Sequence, residues 1–218
     1  MTHLRIAGCI PLMFSAWLVM GAISPERCNG QDQAKLRKYE QGPLTKADFT
    51  GDPPSEQIKV GRVNILALTY CDIRYTYRFR TQSSQGRWTS QAEQVDFFSV
   101  FIPEKSWNTA LDNKLLLDHE QGHFDLTEVY ARRVQGRIFD LYKAGKLKSV
   151  GGSEQQAVDS LVKVLEVELK KGLEELAETH KRYDADTENG SDEPSQGGWR
   201  KKINADLKAA EISLKKKR

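Results

Sequence analysis

Apolar and polar positions change their period once along the chain. Ile73, Tyr75, Tyr77 and Phe79 alternate with Arg74, Thr76, Arg78 and Arg80, the period of two expected of a strand with one buried face. Val63 to Tyr70 and Ala92 to Ile102, the latter with Val95, Phe97, Phe98, Val100 and Phe101, are two further strand candidates. Ser83-Ser84-Gln85-Gly86-Arg87 supplies a turn between the second and third. The repeat then becomes helical. Leu115, His119, Gly122, His123, Leu126 and Tyr130 share a stripe of a helix expected from about Thr109 to Ala144, with Gly145 as its stop. After a break at Val150-Gly151-Gly152, Ser153 and Gln156 form a capping box. A second helix then runs to about Tyr183 on the stripe Val158, Leu161, Leu165, Leu169, Leu173, Leu176 and His180. Thr187 to Gly198 is expected to be a loop, and Trp199, Ile203, Leu207, Ala210 and Leu214 a short amphipathic helix that braces the core. The fold class is α+β: a small antiparallel sheet followed by two long helices and a short C-terminal helix.

The amino end has a different character. Met1-Thr2-His3-Leu4-Arg5 precedes an apolar run from Ile6 to Ile23, so residues 1–30 have the form of a signal peptide or, if uncleaved, an N-terminal anchor. Residues 31–59 are a polar lead-in with Pro43, Pro53 and Pro54, in which Leu44 to Phe49 is the one piece able to dock on a core. Residues 60–218 form the domain. Among 218 residues, 39% are hydrophobic and 29% charged, which suits a folded domain and excludes a disordered chain. The net charge of +3 is too mild to argue for nucleic acid, and much of it lies in Lys215-Lys216-Lys217-Arg218. With Cys9 in the apolar run, Cys28 and Cys71 are the one pair that could bridge in an oxidising compartment, and cleavage beyond Cys28 would leave Cys71 alone. The alternative for Cys71 is a small buried apolar residue. There is no internal repeat, Gly-rich phosphate loop or paired-cysteine metal motif.

Candidate chemistry sits in the first long helix. His119-Glu120-Gln121-Gly122-His123 holds two of the chain's four histidines. Four residues apart, they lie about 40° apart around a helix axis and one turn apart along it, so both imidazoles can grip one metal ion. Glu120 between them is placed to act as general base on a zinc-activated water. This is a zincin-like active-site helix. A catalytic zinc takes three protein ligands, and Glu128, nine residues from His119 and about 180° round the helix, should face away. The third ligand is sought at the end of the second helix, among Asp184, Asp186 and Glu188, with His180 one turn earlier.

The chain resembles the family of predicted secreted zinc-dependent proteases of bacteria, which share a domain of unknown function with an HExGH helix. The resemblance runs through Leu44-Thr45 with Asp48-Phe49-Thr50-Gly51, Lys105-Ser106-Trp107, His119 to Asp125 with Glu128 and Arg132, Tyr183-Asp184 with Thr187-Glu188-Asn189-Gly190, and Trp199 to Ile203. It implies that His119 and His123 are metal ligands and Glu120 the catalytic base. It also exposes a departure: where the family pattern carries a histidine before glycine, this chain has Asn189, a poor zinc ligand. The third ligand is therefore open between Asp184 and Asn189 and the other nearby groups.

These observations set the expectation of an exported, periplasmic or secreted, Zn2+-dependent metallopeptidase acting on a peptide or protein substrate. It would meet a membrane through an uncleaved N-terminal segment alone. The alternative is a non-catalytic exported binding or envelope-associated protein on the same fold, which Asn189 favours. A zinc amidase or other hydrolase would use the same water-activating residues.

Overall fold

The computed structural model describes residues 2–7, 36–60 and 63–217. Its strands are β1 (Thr2–Ala7), β2 (Arg37–Lys38), β3 (Lys59–Val60), β4 (Val63–Asn64), β5 (Ala67–Leu68), β6 (Cys71–Ser84), β7 (Arg87–Phe101), β8 (Trp107–Asn108) and β9 (Lys148–Gly151). The helices are α1 (Lys114–Lys143), α2 (Glu154–Asp186) and α3 (Glu193–Lys217). The architecture is α+β, as the sequence predicts. Apart from the backbone of Thr2–Ala7, which pairs with β6, the expected signal or anchor segment lies outside the described residues. No described helix is long and apolar enough to cross a membrane.

The sheet is built on one long antiparallel hairpin. β6 and β7 pair from Cys71↔Phe101 to Ser84↔Arg87, and the two-residue turn Gln85-Gly86 has positive φ at both positions, 50° and 74°. That is the handedness a tight hairpin needs to match the strand twist. Ile73, Tyr75, Tyr77 and Phe79 turn one face toward the helices and are buried with Val95, Phe97 and the leucine stripe of α2. Tyr75 and Phe97 stack at 5.0 Å.

β9 and β2 take only the two ends of β7's other edge. Between them a buried side chain substitutes for a strand: Gln135 of α1 accepts from the Phe97 N–H at 2.7 Å and donates to the Val95 carbonyl at 3.0 Å. Two backbone groups that would otherwise be buried without partners are thereby satisfied.

Helix ends follow local chemistry, with two shifts from the sequence expectation. α1 starts at Lys114 rather than Thr109, because Trp107–Asn108 pairs with Ala67–Leu68 as a strand and the Asn113 side chain caps the helix by accepting from the Leu116 N–H. It ends before Gly145, whose φ of +67° supplies the left-handed stop. Ser153 caps α2 as expected, accepting from the Gln156 N–H at 3.2 Å. The C-terminal helix is not short. It starts at Glu193, inside the expected loop, with Asp192 accepting from the Ser195 N–H and hydroxyl, and Pro194 falls in the first turn, where its missing N–H costs nothing.

The lead-in docks where the sequence places it. Leu44 is buried with Cys71, Phe101 and Phe124, Phe49 meets Phe101 edge-on at 5.3 Å, and the Gly51 N–H donates to the Ser106 carbonyl at 2.9 Å. Among the described residues Cys71 is a buried free thiol, in keeping with its reading as an apolar residue; the other cysteine of the candidate pair, Cys28, lies outside them.

Asp72 is a charged group at 1% exposure. Burial pushes its carboxyl up to about 7, against the opposing pull of Arg74. A carboxyl raised in the folded state stabilises fully below its unfolded pKa, about 3.9, and that stability is lost as pH rises through about 7. Urea unfolding at pH 5 and pH 8 should therefore show the native chain losing stability, on the order of a few kcal/mol at about 1.4 per pKa unit, while Asp72→Asn loses much less. Equal losses in both would contradict this.

Candidate metal centre

α1 carries the two histidines through the middle of the molecule, buried on nearly every side between sheet, α2 and α3. His119 and His123 project from consecutive turns, and their Nε2 atoms stand 3.1 Å apart. α2 brings Asp184 to them from its last turn, with Asp184 Oδ1 2.8 Å from His123 Nε2 and 3.2 Å from His119 Nε2. Among the described residues, these three form a group able to hold a metal ion. Ligands at about 2.0–2.1 Å from a tetrahedral ion stand roughly 3.3 Å from one another, so the spacing of the three atoms fits a common ion.

The close approach of α2 has a visible cause. Tyr183 crosses α1 at Gly122, where a Cβ would lie 2.7 Å from the Tyr183 Cζ and closer still to its hydroxyl. The Tyr183 ring stacks on His119 at 4.5 Å and 16°, and its hydroxyl donates to the His119 carbonyl at 3.4 Å. Beyond the helix end, Gly190 at φ +81° lets the loop lie on His119, where a Cβ would meet the histidine Cβ and Cγ at 2.8 Å. Thr187, fully buried, stands between Tyr183, Gly190 and His119.

Charge in the site is arranged for a cation. Burial would raise the Asp184 carboxyl, but the two imidazoles override it and hold it well below the usual carboxylate range. Burial would lower His123, yet Asp184 and Glu120 bring it out above its ordinary value. His180 packs edge-on against His123 at 4.8 Å, and burial together with that neighbour holds it well below the usual imidazole range. Glu120 is buried at 3% exposure, and the Asp184 side chain, at 26%, is the most open of the three donors.

Of the third-ligand candidates, Asp184 alone joins the histidines. Asp186 points to α3 and accepts from Trp199 Nε1 at 3.1 Å. Glu188 is exposed, and His180 lies behind His123 rather than among the donors. Asn189 sits in a left-handed turn at φ 53° and meets Asp184 through its backbone, donating N–H to the Asp184 carbonyl at 2.8 Å. Glu128 faces away as the helical wheel predicts, accepting from Ser99 Oγ at 2.7 Å and pairing with Arg132 at 2.8 Å. A signal for Asp184 was present: it lies four residues after the buried His180, whereas Asp186 falls about 200° further round the helix.

The supports of the histidine helix are not marked by the spacing of its motif. Asp125 is buried against Arg200 of α3 at 2.7 Å, which also reaches Asp118 at 3.2 Å. The same carboxylate accepts from Tyr39 at 2.9 Å and from Gln121 at 2.5 Å, and Gln121 accepts from the Leu44 N–H at 2.6 Å. The lead-in and α3 are thus fastened to the turns that carry the histidines.

Comparison of the chain with protein-family models, curated proteins and solved structures finds no match.

Gly122→Ala should lower stability by about 1–3 kcal/mol, the usual cost of overpacking a filled site, because the Tyr183 ring is itself fully buried. Denaturant unfolding measures this, and a neutral substitution would mean that Tyr183 does not depend on the notch.

Proposed function

We propose that the chain is an exported zinc-dependent metallopeptidase in which His119, His123 and Asp184 hold the metal and Glu120 is the general base. The observation that carries this reading is the convergence of three donor atoms, 2.8–3.2 Å apart, beside a buried glutamate of the same helical turn. Two imidazoles and one carboxylate are a donor set that suits zinc and leaves a coordination position for water. Zinc in such a site supplies Lewis acidity and makes water a nucleophile near neutral pH.

The chain's own residues divide the remaining tasks. Glu120, buried and between the two histidines in sequence, would serve as the proton carrier, holding the proton given up by water and returning it to the leaving amine. His119 is fixed by the Tyr183 stack, and Asp184 is carried by a helix end that Trp199 and Asp186 pin to α3. The resemblance to the secreted zinc-dependent proteases supports the reading at His119, Glu120 and His123, and the geometry of the site supports it at Asp184. Asn189, the departure that favoured a non-catalytic protein, is not needed as a ligand when Asp184 is the third donor. Export is supported by the apolar run after Arg5.

Glu120→Gln should cut peptide hydrolysis by about 100-fold or more, the range general acid–base catalysis supplies, while zinc content measured by elemental analysis stays near that of the native protein. A Glu120→Gln variant that hydrolyses a peptide library at the native rate would defeat the mechanism.

A further inference from the structure

We infer that Thr187 is a positioning residue that fixes the ring tautomer of His119, presenting the unprotonated Nε2 to the metal; this rests on the metal-centre reading above. The Thr187 hydroxyl has one proton, and it is committed: Oγ1 donates to the Tyr183 carbonyl at 2.7 Å. Its lone pairs then face two donors. One is the Gly190 N–H at 3.3 Å. The other is His119 Nδ1 at 3.4 Å, which must carry a hydrogen to bond an oxygen that has none left to give.

A neutral imidazole protonated on Nδ1 keeps its lone pair on Nε2. That nitrogen is the one 3.1 Å from His123 Nε2 and 3.2 Å from Asp184 Oδ1. The His119 lone pair therefore points at a carboxylate oxygen, an arrangement that a cation between them relieves. Thr187 is fully buried and immediately follows α2, so the residue that ends the helix carrying the third donor also orients the first. Outer partners of this kind are worth about 10–100-fold in metal affinity.

The test uses zinc alone, with the full chain competing against a chromophoric chelator. Thr187→Val, which keeps the shape and removes the hydroxyl, should bind zinc about 10–100-fold more weakly, and Thr187→Ser, which keeps the hydroxyl and removes the methyl, should stay within about threefold of native on that same scale. A folded Val variant with native affinity overturns the proposal, as do equal losses in Val and Ser, which would mean packing alone. Nitrogen-15 NMR of labelled histidines in the native protein decides independently of any variant: a protonated His119 Nδ1 supports the assignment, and a protonated Nε2 overturns it. A native chain that takes up no zinc sinks the metal-centre reading itself, whereas zinc held equally by native and Val chains sinks this inference alone.

Discussion

The close crossing of α2 over α1 is the contact on which the site depends. Two histidines on one helix are not a centre by themselves; the third donor arrives only because Tyr183 fits against Gly122 and so carries Asp184 down onto His119 and His123. Any side chain at 122 would lift the end of α2. The crossing recurs further along the same pair of helices, where Gly172 of α2 leaves no room for a Cβ against Val134 of α1. Small residues at both points hold the helices together, and the leucine stripe between them buries the interval.

Placing polar groups at this depth has a cost that the surrounding structure offsets. An unpaired buried charge is strongly unfavourable, and three carboxylates around the site are paired: Asp184 with the imidazoles, Asp125 with Arg200, Glu128 with Arg132. These pairs also fix geometry. Arg200 ties α3 to the histidine helix, and Tyr39 and Gln121 tie in the lead-in through the same Asp125. A segment that looks like a linker in composition is thus part of the frame. It is recruited by two aromatic residues, one leucine and a few hydrogen bonds rather than by a long apolar run.

Much of this was legible in the sequence. The strict alternation from Ile73 to Phe79 and the four-residue spacing of His119 and His123 are local signals that tertiary packing did not overrule, and Ser153 and Gly145 mark helix ends by chemistry belonging to a single turn. What was not legible depends on partners distant in sequence. Trp107–Asn108 and Lys148–Gly151 become strands only because other chain segments offer hydrogen bonds. The start of α3 was hidden by Pro194, which a first turn tolerates, and by Gly197 and Gly198 in the turn after it. The choice among Asp184, Asp186 and Asn189 turns on which way the end of α2 rolls against α1, and the Gly122 notch sets that roll without belonging to any motif of α2.

The central claim is that Asp184, and not Asn189, completes the centre. Zinc content of the purified protein, compared by elemental analysis among the native chain, Asp184→Ala and Asn189→Ala, tests it most directly. The account predicts near-stoichiometric zinc in the native chain and in Asn189→Ala, and loss of most of it in Asp184→Ala. Zinc retained by Asp184→Ala and lost from Asn189→Ala would contradict it.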